Sequence, residues 1–431
     1  MLAEVLARRL ERVGIHYGWV IVAVTFFSSL VMSGAVGLPG AFIQPFTAEF
    51  GWDTAQISSS MAIRLVLFGL MGPFAAALIE RYGVRRIVLI AQVLVLVGLA
   101  GALAMTRLWH LVALWGVVIG IGTGLTAMVL GAIVSARWFT ERRGLVLGVL
   151  AAATATGQLI FLPLAAWLIG HYGWRFALIP SAAAIGIAAV LIILFMRDRP
   201  SDVGLRPYGE TGPVVAPAPA STQGAIARAF GTLGEVSGVP AFWILAGSFL
   251  ICGLSTNGLI QTHFISFCAD YGLPAVMAAS ALALMGFFDF FGTIGSGYLS
   301  DRFDNRKLLF WYYGLRGLSL LWLPSSGFSF YGLSIFALFY GLDWIATVPP
   351  TVKLTGQVFG REKAGLVFGW IFASHQIGAA IAALGAGVTR TYWQTYVPAF
   401  WIAGGACLVA AALVMTVQKV RTAPAPVAAT A

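Results

Sequence analysis

A single carboxylate stands inside a long apolar segment, GFFDFFGTIGSG, at residues 286–297. It belongs to Asp289, and the residue one helical turn further along the chain is Thr293 rather than a base. Removal from water disfavours the charged form of a carboxylate. An acid in such surroundings can take up and release a proton near neutral pH, which is the chemistry that a proton-coupling group needs.

Three roles are open to Asp289: proton coupling, an ion pair with a cation on a neighbouring helix such as Arg316, or recognition of a cationic substrate. A charge deep in a membrane costs about 2.5–3.5 kcal/mol on insertion scales, so each one is a functional hypothesis. Arg316 is expected to pair with Asp343 or Asp289 in a structural ion pair. Asp343 is the second candidate for proton coupling.

Arg64 also lies in an apolar segment, 16 residues before Glu80. A guanidinium offers two parallel hydrogen bonds to a carboxylate, so Arg64 is the candidate seat for an anionic substrate. A gating salt bridge and snorkelling to the surface are its alternatives. Other polar side chains in apolar segments could complete this site or only hydrogen-bond between helices: Gln158, Asn257, Gln261, His263, His375 and Gln376. Lys353 could also attract the anion, or snorkel to the surface.

The composition indicates a helical membrane protein. Hydrophobic residues make up 59% of the 431 residues and charged residues 10%, against about 25% charged in soluble domains. The apolar runs are continuous rather than alternating, which favours helices over a β-barrel. GIGTG at 120–124 lies inside such a run, so tight helix packing explains it better than nucleotide binding. We expect no enzyme activity, cofactor, metal site or nucleic-acid partner.

Twelve runs are long enough to span a bilayer. Pro349 and Pro350 predict a kink in the tenth. The predicted spans are 17–47, 54–79, 86–106, 108–136, 144–171, 174–196, 240–269, 275–300, 307–325, 328–357, 363–389 and 393–418.

The positive charges predict the orientation. Most of the 26 Lys and Arg lie in the N-terminal head, the central loop, the C-terminal tail and the loops after spans 2, 4, 8 and 10. The positive-inside rule places those segments in the cytoplasm. The sequence therefore predicts a multi-pass inner-membrane protein with both termini cytoplasmic. Its predicted parts are a six-helix bundle at 1–197, a linker at 198–239 with a short surface helix within 223–237, a second bundle at 240–419 and a tail at 420–431.

The two halves repeat each other at a constant offset. ALIERYGVRR at 77–86 aligns with YLSDRFDNRK at 298–307, and FTERRGLVLG at 139–148 aligns with GREKAGLVFG at 360–369; the offset is 221 positions in both cases. Asp343 breaks the repeat, because its counterpart is Gly122. A two-fold repeat of six helices is typical of transporters, with the substrate site between the repeats.

These motifs carry a family resemblance. The acid-Arg-x-Gly-x-Arg-Arg loop after span 2 and its echo after span 8 resemble the major facilitator superfamily. HYGWVIV, EFGW, RWFTERRG and RDRPSDVGLRPYGE resemble bacterial members of its monocarboxylate and oxalate–formate branch. The chain departs from the family at Ala76, Glu80 and Asp304. In that branch an Arg follows the acid of helix 8 by four residues, and here that position is Thr293.

The resemblance implies a mechanism. Helices 1, 4, 7 and 10 would line a central cavity, and the loop motifs would latch the cytoplasmic side through Glu80, Arg81, Arg85, Asp301, Arg302 and Arg306. We expect a secondary transporter, acting as a monomer in the lipid bilayer, that moves a small organic anion with a proton by alternating access. Arg64, His263 and Asn257 would hold the anion and Asp289 the proton. Export of a cationic or neutral compound is the alternative, and a non-transporting solute sensor is a remote one.

Overall fold

The computed structural model describes residues 2–126, 129–210 and 225–417. Those residues form helices and connecting turns, with one isolated backbone bridge between Phe139 and Tyr208. An amphipathic helix, Leu2–Arg12, precedes the first membrane helix. A second short helix, Ala225–Val236, lies within the central loop, in the region where the sequence predicts one.

Six membrane helices form the first half of the molecule, and most of them are unbroken. They are α1 (Gly18–Gly37 and Pro39–Phe50), α2 (Thr54–Tyr82), α3 (Val84–Ala102), α4 (Leu108–Leu111, Val112–Ile119, Gly120–Gly124 and Val129–Trp138), α5 (Arg143–Tyr172) and α6 (Trp174–Phe195).

Six more membrane helices form the second half. They are α7 (Pro240–Gly253, Leu254–Gln261 and Thr262–Asp270), α8 (Ala275–Arg302), α9 (Asn305–Trp322), α10 (Phe330–Asp343 and Val348–Phe359), α11 (Arg361–Trp393) and α12 (Val397–Val414). In the part of the chain that the structure describes, nine of these twelve helices are long and apolar enough to cross a membrane. The other three are α4, α5 and α9. The predicted spans are confirmed over the described residues, with the largest shift at α12, which was expected over 393–418; the predicted tail at 420–431 lies outside the described residues.

The two halves meet along two helix pairs, α2 with α11 and α5 with α8. We call the end of the bundle that carries Glu80 and Asp301 the motif end, and the end that carries Glu49 and Asp270 the opposite end. At the opposite end α1 also touches α7, where Gly40 packs on the carbonyl of Gln261. The backbone N–H of Ala55 donates to Thr391 Oγ1 across the halves at 3.1 Å. The halves are thus joined at the opposite end.

The helix Ala225–Val236 bridges the halves at the motif end. The ring of Phe230 lies 5.9 Å from Phe74 of α2 and 5.5 Å from Trp370 of α11. Trp370 Nε1 donates to the carbonyl of Ala229 at 2.9 Å, and Lys363 pairs with Glu235. The linker is therefore anchored on both sides of the α2–α11 seam.

The tenth membrane helix is broken just before the two prolines, at the place where they predict a kink. The first segment ends at Asp343, and Pro349 and Pro350 stand in the first turn of the second segment. A helix tolerates proline there because the first-turn N–H groups have no partner within the helix. Residues 344–347 lie between the two segments.

Small residues let the helices approach closely. A Cβ at Gly122 would lie 2.9 Å from Val95 Cγ2 and 3.1 Å from the carbonyl of Ala91, so the packing role predicted for GIGTG is confirmed. On α8 a methyl group at Gly292 would overlap the carbonyl of Leu342 on α10. The contact between α8 and α10 therefore requires glycine at position 292.

We predict that Gly292→Ala destabilises the protein by about 1–3 kcal/mol, because overpacking forces two backbones apart. Gly295→Ala is the matched control on the same helix: its Cβ would meet nothing within 4 Å. Thermal unfolding in detergent should show a lower Tm for the first variant and an unchanged or higher Tm for the second. Equal Tm values for both variants would contradict the close packing described here.

Candidate functional site

The break in α10 exposes backbone groups at membrane depth. Inside a bilayer such groups must be hydrogen-bonded by the protein, since no water is available to them and each unsatisfied group costs several kcal/mol. Side chains of α8 and α9 supply these bonds, and Cys252 of α7 contacts the side chains of Arg316 and Thr347 beside them. We define the hinge cluster as Cys252, Asp289, Ser296, Arg316 and Asp343.

Arg316 of α9 binds the end of the first α10 segment. Its Nε donates to Asp343 Oδ2 at 2.6 Å, and its Nη2 donates to the carbonyls of Asp343 at 2.5 Å and Trp344 at 3.1 Å. Its Nη1 donates to the sulfur of Cys252 on α7 at 3.0 Å. A cation is favourable at a helix C-terminus because the last carbonyls carry partial negative charge.

Asp289 of α8 binds the break from the other side. Its Oδ1 accepts the backbone N–H of Ile345 at 2.8 Å and the hydroxyl of Thr293 at 3.1 Å. Ser296, two turns along α8, donates to the carbonyl of Ala346 at 2.5 Å. The carboxylate thus lies on the side of the break that leads into the second segment, where helix N–H groups favour negative charge.

The hinge cluster holds two carboxylates but one guanidinium. Arg316 is 1% exposed and forms its ion pair with Asp343 rather than with Asp289. Among the described residues no cation lies within hydrogen-bonding distance of Asp289, which is 7% exposed. Of the sequence alternatives for Asp289, the ion pair with Arg316 is therefore not formed. Asp343 Oδ1 is buried without a hydrogen-bond partner among the described groups.

Arg64 of α2 is buried, and no acid among the described residues forms an ion pair with it. It is 4% exposed, and its Nη1 donates to the carbonyl of Val36 on α1 at 3.1 Å. Its Nε has no hydrogen-bond partner among the described residues. Its backbone packs on Gly120 of α4. This guanidinium keeps donor capacity that the protein leaves unused.

A single stretch of α1 contacts polar side chains of α2 and α5 and the backbone of α7. Arg64 reaches Val36, and Gln158 of α5 packs on the neighbouring Gly37, where an added Cβ would lie 3.4 Å from Gln158 Cγ. One turn further along α1, Gly40 packs on the backbone of Gln261 of α7. Asn257, one turn before Gln261, is half-buried. The structure therefore brings Arg64 and Gln158 to one turn of α1, with α7 beside it.

Three of the predicted site residues lie instead between helices. His263 is fully buried, and its Nε2 bonds the carbonyl of Ala383 on α11 at 2.7 Å. The ring of His375 lies between Phe249 and Phe372. Gln376 covers Gly69 of α2. In this structure His263 faces α11, which agrees with the alternative of hydrogen bonding between helices, and its assistance to Arg64 stays a prediction.

Among the described residues, the side chains of the loop motifs bond groups of their own half. Arg85 Nη2 donates to the carbonyl of Ile193 at 2.6 Å, Asp301 pairs with Lys353 at 2.6 Å, and Arg306 pairs with Asp304 at 2.6 Å. Arg81 and Arg302 lie over Tyr82 and Tyr298 of their own helices. Glu80 is exposed. The bonds recorded for the predicted latch residues thus stay within one half, and the expected latch between the halves is not closed here.

Comparisons with known proteins agree with this architecture. A family model described as the Major Facilitator Superfamily matches residues 25–383. Monocarboxylate transporter 13 of Rattus norvegicus is 25% identical over 407 residues, which cover 93% of this chain and 89% of that protein. The uncharacterized MFS-type transporter YcxA of Bacillus subtilis (strain 168) is 24% identical, covering 86% of this chain and 88% of its own. The crystal structure of a D-xylose-proton symporter superposes with a TM-score of 0.73 at 14% identity, covering 94% of this chain and 98% of that one.

We predict that Arg316→Met destabilises the protein by about 3–5 kcal/mol, because it leaves a buried carboxylate and two carbonyls without a donor. Arg316→Met combined with Asp343→Leu should cost less than the sum of the two single substitutions, since both charges are then removed. Arg107→Met, at an exposed position, is the control. Unfolding in graded denaturant measures all four variants. Wild-type stability for Arg316→Met would show that the hinge cluster does not hold the break.

Proposed function

The chain belongs to the major facilitator superfamily, and on that premise we propose that it moves a small organic anion, a monocarboxylate, together with a proton by alternating access. One observation carries the proposal: Asp289 is buried, has no cation partner among the described residues, and bonds the break of α10. The relatives named monocarboxylate transporters support the substrate class.

The proton belongs on Asp289 rather than on Asp343. Arg316 donates directly to Asp343, and a bonded guanidinium stabilises the ionised carboxylate. With Arg316 and Asp343 both charged, the hinge cluster carries one net negative charge when Asp289 is ionised and none when it is protonated. Because moving a bare charge through a low-dielectric interior is costly, protonation of Asp289 lets the loaded carrier reorient. Asp343 contributes by keeping Arg316 neutralised.

The anion belongs on Arg64. Its unused Nε supplies a donor for a carboxylate, and Gln158 reaches the same turn of α1. Asn257 and Gln261 on α7 lie one turn apart, near that stretch, and can contact the rest of the solute. Thr293 replaces the Arg that the resemblance places on helix 8, so the seat for the carboxylate shifts to α2.

The setting of this transporter follows from the charge distribution. We propose that both termini and the central loop lie in the cytoplasm of a bacterial cell, so that the motif end faces inwards. The halves 1–197 and 240–419 would rock about the substrate, and one chain would suffice for transport. The loop motifs would close onto the other half only in the outward-open state.

Export of a cationic compound is the second candidate. A buried carboxylate to which no guanidinium of the described residues is bonded is also what recognition of a cation needs, and Asp289 with Thr293 four residues on is in that condition. The two candidates differ in what crosses the membrane. Accumulation of cationic dyes but not of acids by proteoliposomes would reject the carboxylate proposal.

We predict that Asp289→Asn abolishes the accumulation of labelled lactate or benzoate driven by a pH gradient, yet spares exchange of the acid across proteoliposomes without a gradient. The amide can still accept the Ile345 N–H but cannot carry the proton. Asp53→Asn is the control. Asp53 caps the N-terminus of α2, and asparagine caps a helix as well as aspartate does. Gradient-driven accumulation that persists in Asp289→Asn would refute the coupling role.

We predict that Arg64→Gln raises the KM for the acid about 10- to 100-fold, because a hydrogen bond to a charged group contributes about 1.5–3 kcal/mol. The KM of Arg64→Lys should lie between those of the wild type and Arg64→Gln, because lysine keeps the charge but loses the planar guanidinium. Arg107→Gln, exposed and outside the site, should leave the KM unchanged. An unchanged KM in Arg64→Gln would place the anion elsewhere.

A further inference from the structure

A stripe of polar side chains runs along α8 from Asp289 towards the motif end. Its members are Asp289, Thr293, Ser296 and Ser300, at positions i, i+4, i+7 and i+11, and this spacing keeps them on one helix face. Asp301 follows directly. Away from this face α8 is mostly apolar, with Phe, Ile, Leu and Gly.

The stripe begins at a buried acid, Asp289, and ends next to an exposed one, Asp301. Ser296 is 1% exposed and Ser300 5% exposed, so both hydroxyls lie between helices. At the end of the stripe Lys353 of α10 donates to the carbonyl of Ser300 at 2.8 Å and pairs with Asp301 at 2.6 Å. The side chain of Asp301 is 76% exposed. A continuous polar face therefore connects Asp289 with the aqueous edge of the motif end.

The spacing suits proton transfer. Eleven residues of helix cover about 17 Å, and side chains three or four residues apart have Cβ atoms about 5–6 Å apart. One water molecule bridges two hydroxyls across such a gap with hydrogen bonds of about 2.8 Å. A hydroxyl donates one proton and accepts another at the same time, so it can hand a proton on without becoming charged.

The surroundings of the stripe are poor in competing charges. The second segment of α10 contributes the ammonium group of Lys353 at the aqueous end. Arg316 and Asp343 lie beside Asp289 at the inner end, paired with each other. The phenol of Tyr312 on α9 lies near Ser296. Between Asp289 and Asp301, the described members of the stripe carry hydroxyl groups and no charge.

We propose that this hydroxyl stripe is the route by which a proton passes between Asp289 and water at the motif end. The proposal rests on the proton-coupling role proposed for Asp289 and adds the path that serves it. On release, the O–H bond of the Asp289 carboxyl group breaks, and the proton passes to the hydroxyl of Thr293, which hydrogen-bonds Asp289 Oδ1 at 3.1 Å. Each hydroxyl then accepts one proton and donates another, and the last proton goes to bulk water beside Asp301. Asp289 is left as a carboxylate.

A purely structural role for the hydroxyls can be separated from this route. Ser296 bonds the break of α10, so its removal would disturb the hinge as well. Ser300 instead donates to the carbonyl of Gly297 in its own helix at 2.9 Å. Ser300→Ala therefore removes a hydroxyl from the stripe without removing a bond between helices.

The test is the rate at which Asp289 exchanges its proton after a pH jump, followed by time-resolved infrared absorption of its carboxyl group in the full-length protein in liposomes. The Asp289 band is the one missing from Asp289→Asn. Ser300→Ala and Thr293→Val should each slow the exchange about tenfold, the effect of a barrier higher by about 1.4 kcal/mol. Ser300→Thr and Thr293→Ser keep a hydroxyl and should keep the wild-type rate, as should Ser319→Ala on α9.

The outcomes separate the route from the function that it serves. Wild-type exchange rates in both Ser300→Ala and Thr293→Val, with the Asp289 band present, would overturn the route and leave coupling by Asp289 intact. Absence of any infrared band that titrates and depends on Asp289 would overturn the coupling role and the route with it. Slowing in Ser300→Thr as large as in Ser300→Ala would assign Ser300 to packing and also overturn the route.

Discussion

The break of a helix inside the membrane is the constraint on which the second half of this molecule depends. Freed N–H and C=O groups cannot bond to lipid, so α10 can stop at Asp343 and restart at Val348 only where other helices bond its backbone. Arg316 donates to carbonyls at the end of the first segment, and Asp289 accepts the N–H of Ile345 on the other side of the break. Each charge matches the partial charge of the helix end that it faces. A charge at position 289 is thereby tied to the geometry of a helix expected to line the substrate path.

The break also explains why the two halves differ where their sequences otherwise repeat. The counterpart of Asp343 is Gly122, and there α4 packs directly on α3 through the absence of a side chain. In the second half the same position carries an acid, and the arginine that neutralises it comes from α9. The first half therefore provides close packing and the isolated guanidinium of Arg64, whereas the second half provides the acid–base cluster. This division suits a carrier that binds its anion on one bundle and its proton on the other.

Much of the architecture could be predicted from the sequence, because hydropathy and the effects of proline and glycine on the backbone are local. Long apolar runs predict the spans, Pro349 and Pro350 predict a kink in the tenth span, and GIGTG predicts close packing. The structure confirms the spans and the packing, and at the predicted kink it has an interruption of the helix. The partners of buried side chains were harder to predict, since they depend on the rotation and depth of each helix. Pairing of Arg316 with Asp343 was one of two options, and the bond of His263 to α11 was one of the two roles open to that side chain. The partner of Asp289 could not be read from side-chain types at all, because it is the backbone N–H of Ile345, which is available only where the helix is broken.

Uptake of the proton with the solute tests the central claim most directly. Proteoliposomes in weakly buffered medium should make that medium more alkaline when lactate or benzoate is added and enters, at a rate proportional to the uptake of the labelled acid. The wild-type protein should give this alkalinisation, and Asp289→Asn should give none while it still exchanges internal for external acid. An equal pH change per molecule of acid in both proteins would contradict the assignment of the transported proton to Asp289.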